Sequence, residues 1–261
     1  MDDVLFREAH VDADGFRIRY LEAGSGAPVL RIHGATGLQL TRTDTLLAQK
    51  YRVIAVEVPG FGASTNERSK SARDLAHTMT SFAAALDLRR YNVIGSSLGA
   101  KIALWQALED GENIEALVLI APGAVVPEGW RPPVGPSVRE RLYAHPERQP
   151  EAPDGDSAIR DKERAFIQRA LRPGRDEDLE ERLVDISTAT LVVFGTEDAF
   201  VPPEMGRIYK TRVPNCSFAL VYDAGHMIEA ERPEAAAELL DDFLERHEVF
   251  VVATNSTVIN P

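Results

Sequence analysis

Residues 95–99 read Gly95-Ser96-Ser97-Leu98-Gly99 and fit the pattern GxSxG, with Ser97 alone at its centre. A β-branched run precedes the five residues and an apolar run follows, so the chain must turn sharply from strand to helix. Such a turn strains its central residue and pushes that side chain out above the sheet edge. Gly95 and Gly99 then leave room for backbone where side chains would collide. A serine hydroxyl is a weak nucleophile at neutral pH and needs a base within hydrogen-bond reach, itself oriented by a third group. Of the six histidines, His226 in AGHMIEAERPE follows a strand at a glycine loop and precedes the last helix. His10, His77, His145 and His247 fit surface or packing roles, and His33 fits a brace for its own loop. Asp198 in FGTEDAFVP stands just past another strand end and is the candidate third member. Glu197 beside it reads as a solvated neighbour, and Asp223 is near His226 in sequence only. The order Ser97, Asp198, His226 matches one known arrangement of nucleophile, acid and base. A carbonyl attacked by Ser97 develops charge on oxygen, and two backbone amides can meet it. Leu98 opens a helix, where amides lack intrahelical partners, and Ala35 lies in His33-Gly34-Ala35-Thr36-Gly37, expected to lead from a strand into a helix.

The elements that must hold these residues are legible as periodicities. FRIRYLEAG, PVLRIHG, YRVIAVEVPG, YNVIG, IEALVLIAPG, TLVVFG and CSFALVYDAG read as strands, most of them buried. SARDLAHTMTSFAAALDL carries Leu75, Met79, Phe82 and Leu86 at helical spacing, with Ser71 and Asp74 set as a capping box. Leu98 to Leu108 is apolar almost all round, the mark of a helix buried against a sheet. PEAAAELLDDFLERH opens with Pro233 at a helix start. Strands alternating with helices imply right-handed crossovers and an α/β, mostly parallel, doubly wound sheet. The alternation fails between residues 123 and 187, where a Pro/Gly-rich lead, a polar stretch and helical pieces replace strands. This predicts a helical cap at 123–187 inserted into a core of 1–122 and 188–261. The tail EVFVVATNSTVINP is β-rich, and an edge strand, a contact segment and a loose end all suit it.

Composition narrows the partners. With 261 residues, 44% of them hydrophobic, a sizeable core is available, and a net charge of −12 without any Lys/Arg block argues against nucleic acid. A small-molecule substrate is expected instead, and a homodimer is compatible with the sequence. A single cysteine, Cys216, precludes an intrachain disulfide and suits a reducing compartment. The acidic N-terminus and the lack of a long apolar run predict a cytoplasmic protein without a membrane span. Asn255-Ser256-Thr257 reads as a chance tripeptide. The histidines and acids lack ligand spacing and no phosphate loop is seen, so no metal and no cofactor is expected.

Taken together, HGATG, EVPGFGAS, GSSLGA, FGTEDAFVP and AGHMIEAERPE resemble the α/β-hydrolase superfamily, in its order and over nearly the whole chain. The resemblance implies an eight-stranded, mostly parallel sheet with a cap after the sixth strand. It carries the nucleophile onto Ser97, the acid onto Asp198, the base onto His226 and the oxyanion amides onto Ala35 and Leu98. Ser97 sets the chain apart from relatives that use an aspartate nucleophile. Meta-cleavage-product hydrolases, which cut carbon–carbon bonds, usually have a glycine-rich oxyanion loop, an asparagine before the serine and a tryptophan after the histidine. Here those places hold HGATG, Ser96 and Met227. Arg31, a charge inside VLRIHG, needs a partner, and Glu57 of the neighbouring strand is the candidate.

Three functions follow. The first is a serine hydrolase of carboxylic esters, lactones or thioesters through an acyl-enzyme on Ser97. The second keeps the three residues but cleaves a carbon–carbon bond. The third is a non-catalytic small-ligand receptor on the same fold. Trp130, Arg131, Leu142, Tyr143, Phe166 and Met227 are the candidate substrate-lining residues; for those of the insertion, packing is the alternative role.

Overall fold

The structure, a computed structural model, describes residues 4–131, 137–149, 156–255 and 257–261. Parts of the Pro/Gly-rich lead and of the polar stretch, and the middle of the Asn255 tripeptide, lie outside the described residues. In chain order the elements are β1 (Arg7–Ala13), β2 (Phe16–Ala23), β3 (Pro28–Ile32), α1 (Arg42–Leu47), β4 (Arg52–Val56), α2 (Ala72–Ala85), β5 (Tyr91–Ser96), α3 (Leu98–Asp110) and β6 (Ile114–Ile120). There follow α4 (Ser137–Leu142), α5 (Ser157–Phe166), α6 (Glu177–Arg182), β7 (Ala189–Gly195), α7 (Gly206–Arg212), β8 (Cys216–Val221), α8 (Ile228–Glu231), α9 (Pro233–Arg246) and β9 (Val258–Ile259).

One sheet runs in the order β1-β2-β4-β3-β5-β6-β7-β8-β9. Pairing is parallel from β4 through β8 and antiparallel at β1–β2, β2–β4 and β8–β9. The eight expected strands are joined by a ninth of two residues, so part of the tail forms an edge strand on β8. Central strands are buried on both sides because residues alternate between two apolar layers. Leu30, Val93 and Leu117 pack with Leu75, Met79 and Phe82 of α2 and with Ile102 and Leu104 of α3. Val29, Ile94 and Val118 pack on the other side with Leu47 of α1 and Leu239, Leu240 and Phe243 of α9. The two helix starts legible in the sequence are present: Ser71 accepts from the Asp74 amide with the reciprocal bond formed, and Pro233 opens α9. The segment after β3 does not enter a helix directly. It runs as a loop to Arg42, where the capping box of Thr41 and Asp44 starts α1.

Between β6 and β7 the described residues add no strand to the sheet. Polar bonds pin this insertion to the core. Lys162 Nζ donates to the Gly62 and Ser64 carbonyls at 2.5 and 2.6 Å, Glu163 accepts from the Gly62 amide at 2.8 Å, and Arg169 donates to the Asn66 carbonyl. Buried Lys101 of α3 takes the Leu171 carbonyl at 3.2 Å, beyond the end of α5, and pairs with Asp176 at 2.9 Å. Among the described residues no helix is long and apolar enough to cross a membrane.

Candidate active site

Parallel strands send their carboxyl ends to one edge, and the loops that leave that edge converge, the usual ligand position in open α/β sheets. Ser97 leaves β5, Asp198 leaves β7 and His226 leaves β8 there. Ser97 sits at φ 53° and ψ −114°, the strained conformation that the sharp strand-to-helix turn demands. The turn needs its glycines: a Cβ on Gly95 would lie 2.7 Å from the Gly99 carbonyl oxygen, and one on Gly99 would lie 2.4 Å from those of His33 and Ile32.

His226 Nε2 stands 2.9 Å from Ser97 Oγ, and His226 Nδ1 stands 2.8 Å from Asp198 Oδ2. A carboxylate only accepts, so Nδ1 carries the proton and Nε2 is free to accept from the serine. Asp198 is fixed in turn, its Oδ1 accepting from the Phe200 and Val201 amides at 2.9 and 2.8 Å. Both His226 and Asp198 are buried. The Phe200 ring lies 4.8 Å from the imidazole, tilted by 39°. Ser97, Asp198 and His226, far apart in sequence, thus form one hydrogen-bonded line able to take a proton from a hydroxyl and stabilise the resulting imidazolium.

The loop carrying Ala35 lies against the serine: an ideal Cβ on Gly34 would be 3.1 Å from Ser97 Cβ. His33 holds that loop. Its Nε2 accepts from the Val58 amide at 3.1 Å, which leaves Nδ1 to donate to the Gly34 carbonyl at 2.8 Å. Burial, aided by Arg31, lowers its pKa to about 4, so the ring is a neutral brace. Leu98 is the first residue of α3, where the backbone amide has no intrahelical acceptor.

The sequence of the chain matches the model of the alpha/beta hydrolase family over residues 30–239. The chain belongs to that family. The hydrolase is 28% identical over 263 residues to the 2-hydroxy-6-oxononadienedioate/2-hydroxy-6-oxononatrienedioate hydrolase of Cupriavidus pinatubonensis, covering 88% of this chain and 91% of the relative. It is 27% identical over 267 residues to the 2-hydroxy-6-oxo-6-phenylhexa-2,4-dienoate hydrolase of Comamonas testosteroni, covering 90% and 93%. Among solved structures, a serine hydrolase involved in carbazole degradation superposes with a TM-score of 0.79 at 26% identity, over 92% of this chain and 99% of that one. The protein is an enzyme, a hydrolase.

The residues expected to line the substrate site are distributed unequally in this hydrolase. Trp130 donates through Nε1 to the Phe200 carbonyl at 3.1 Å and packs edge-on against the Phe200 ring that touches His226. Arg131 is exposed and donates to the Trp130 carbonyl at 2.9 Å. The Leu142 carbonyl accepts from the Met227 amide at 3.0 Å, which fastens the insertion to the residue after His226, and half-buried Tyr143 follows Leu142 in that segment. Two bonds beside it strengthen the clasp, with His145 Nε2 2.6 Å from Asp223 Oδ1 and the His145 amide donating to Glu231 at 2.9 Å. Phe166 is buried, packed edge-on on Phe61 at 5.7 Å between ring centres, and serves as an anchor of the insertion.

The expected pairing of Arg31 with Glu57 is corrected by the structure. The β3–β4 register sets Arg31 beside Ala55, so Glu57 lies two residues further on, past the strand end. There its amide bonds to the Arg19 carbonyl of β2, and Arg19 Nη1 donates to Glu57 at 2.8 Å as a cross-strand pair. Arg31 turns instead toward α1 and α8, where Nε donates to Asp44 at 3.0 Å and Nη2 lies 2.5 Å from Glu229 Oε1. The Glu229 contact is an ion pair whose angle is not that of a hydrogen bond, for that oxygen has no hydrogen-bond donor.

Proposed function

We propose that Ser97, His226 and Asp198 form the catalytic triad of a serine hydrolase that cleaves the carbon–carbon bond of a vinylogous diketone. The observation that carries the serine mechanism is the unbroken line from Ser97 Oγ to His226 to Asp198, at 2.9 and 2.8 Å. The bond cleaved is inferred from relatives named for 2-hydroxy-6-oxo dienoates and dienedioates, which cover nine-tenths of this chain or nearly so. In this reading residues 123–187 act as a cap over the core of 1–122 and 188–261, held on the His226 loop by the Leu142 and His145 contacts.

His226 takes the Ser97 proton as Oγ attacks the ketone carbon, and the Ala35 and Leu98 amides hold the oxyanion. When the tetrahedral centre collapses, the carbon–carbon bond breaks, its electron pair is delocalised into a dienolate, and His226 returns the proton to that fragment. The acyl group stays on Ser97. Water, deprotonated by His226, then releases it as a carboxylic acid, and the serine is restored. Asp198 keeps the imidazole in the productive tautomer throughout.

A second reading, hydrolysis of a carboxylic ester, lactone or thioester by the same steps, is favoured by the two residues that flank the reacting groups. Ser96 precedes the nucleophile and Met227 follows the base, where carbon–carbon hydrolases usually have asparagine and tryptophan. The test is to offer purified wild type and Ser97→Ala both a 2-hydroxy-6-oxo-6-phenylhexa-2,4-dienoate and short p-nitrophenyl esters. Carbon–carbon specificity predicts a kcat/KM at least roughly tenfold higher on the dienoate. The reverse ratio selects the ester reading, and equal rates for the two proteins on both substrates remove Ser97 from the chemistry.

A further inference from the structure

Arg31, Asp44 and Glu229 are all buried, on β3, α1 and α8, and the two carboxylates meet the Arg31 guanidinium. Ser96, the residue before Ser97, is their point of contact with the site. Arg31 Nη1 donates to Ser96 Oγ at 2.9 Å, and Ser96 Oγ donates to Glu229 Oε2 at 2.9 Å. The Glu229 backbone is tied as well, its carbonyl accepting from Thr43 Oγ1 at 3.1 Å. Asp44 has no freedom either: Oδ1 accepts from Arg31, and Oδ2 accepts from the Thr41 amide and hydroxyl at 2.7 and 3.0 Å.

Each anchored residue belongs to a different part of the proposed machinery. Arg31 is two residues before His33 and four before Ala35, on the strand that delivers the oxyanion loop. Ser96 is one residue before the nucleophile. Glu229 is three residues after His226, on the segment that delivers the base. A buried ion pair tied to rigid elements fixes their relative positions, whereas a lost partner would leave a buried charge uncompensated. Burial, and the nearby Asp44 carboxylate, push the Glu229 carboxyl above its ordinary range, while Arg31 and the Ser96 hydroxyl counter that push. The Ser96 hydrogen bond is the only direct side-chain link from this cluster to the nucleophile turn among the described residues.

We propose that Glu229 and Arg31, acting through the Ser96 hydroxyl, are positioning residues that hold the His226 loop in register with Ser97. The inference rests on Ser97 being the nucleophile. Proton transfer from Ser97 to His226 depends on a contact of 2.9 Å, and a misplacement of about 1 Å can cost on the order of a hundredfold in rate. Releasing Ser96 loosens that contact without touching substrate.

The test compares wild type, Ser96→Ala, Glu229→Gln and the double variant by fluorophosphonate labelling rate, by kcat and KM on a p-nitrophenyl ester, and by thermal unfolding. Ser96→Ala keeps all three charges, and Glu229→Gln keeps the shape. Both single variants should lose roughly tenfold in labelling rate and kcat, with KM within about twofold of wild type. The double variant should lose little more than the worse single, because both act through one hydrogen bond. Ser96→Thr, which restores a hydroxyl, should recover most of the labelling rate. Wild-type labelling rates in both single variants would overturn the proposal, whatever happens to the unfolding midpoint, and so would losses that multiply in the double. A wild type that does not label at Ser97 removes the nucleophile assignment and the positioning role together, whereas labelling in wild type with no deficit in the variants removes the positioning role alone.

Discussion

Asp198→Asn changes one atom and should disable the site through the tautomer of His226. Asp198 Oδ1 accepts from two backbone amides, Phe200 and Val201, at 2.9 and 2.8 Å, while Oδ2 faces His226 Nδ1 at 2.8 Å. An amide NH₂ cannot accept from those backbone donors, so the introduced asparagine must place its carbonyl oxygen there and turn its NH₂ toward the imidazole. Nδ1 then becomes the acceptor, the ring proton moves to Nε2, and Nε2 can no longer take the Ser97 proton. A tautomer error of this kind lowers kcat by about 10³–10⁴, or about 4–5.5 kcal/mol of transition-state stabilisation. Both backbone bonds survive, so the unfolding midpoint should move little. Asp198→Ala is the informative contrast. It leaves the buried Val201 amide unsatisfied, at a cost of about 1–3 kcal/mol, yet imposes no tautomer. The two variants should therefore cross, with asparagine the slower enzyme and alanine the less stable protein. Initial rates and urea unfolding on the same preparations measure both quantities. An Asp198→Asn protein within tenfold of wild-type kcat would refute the assignment of Asp198 as the group that sets the His226 tautomer.

His33 should make stability fall in mild acid. Its pKa is about 4 folded against 6.5 for the free side chain, so the unfolded chain binds more protons between these values. Stability is then full above pH 6.5, declines as pH drops toward 4 and levels off below; by linkage the loss is about 3 kcal/mol. Urea unfolding at pH 7 and 4.5 checks this, and His33→Gln should flatten the dependence. Phe166→Ala removes the ring packed on Phe61 and should cost about 3–5 kcal/mol if the loss is felt globally. If the insertion opens by itself, limited proteolysis should instead cut within residues 157–171 while the core stays resistant. Unchanged proteolysis together with an unchanged unfolding midpoint would deny Phe166 its anchoring role.

Local chemistry brought Ser97, Asp198 and His226 forward as candidates in the chain alone. GxSxG between a β-branched run and an apolar run is a strand-to-helix turn whatever surrounds it, and the acid and the histidine follow strand ends because sheet edges gather loops. The capping box at Ser71 and the proline opening α9 were legible for the same reason, since a helix start is decided within four residues. Tertiary structure decided what lies across long separations. The partners of Arg31 could not be read from the neighbouring strand, because the register moves Glu57 beyond reach while α1 and α8 deliver Asp44 and Glu229 from opposite ends of the chain. The loop between His33 and α1 likewise depends on packing, for nothing within HGATG sets how far the chain runs before Thr41 caps a helix. Periodicity and turn chemistry act between neighbours in sequence; ion pairs and sheet edges act between neighbours in space, and only the folded chain says which residues those are.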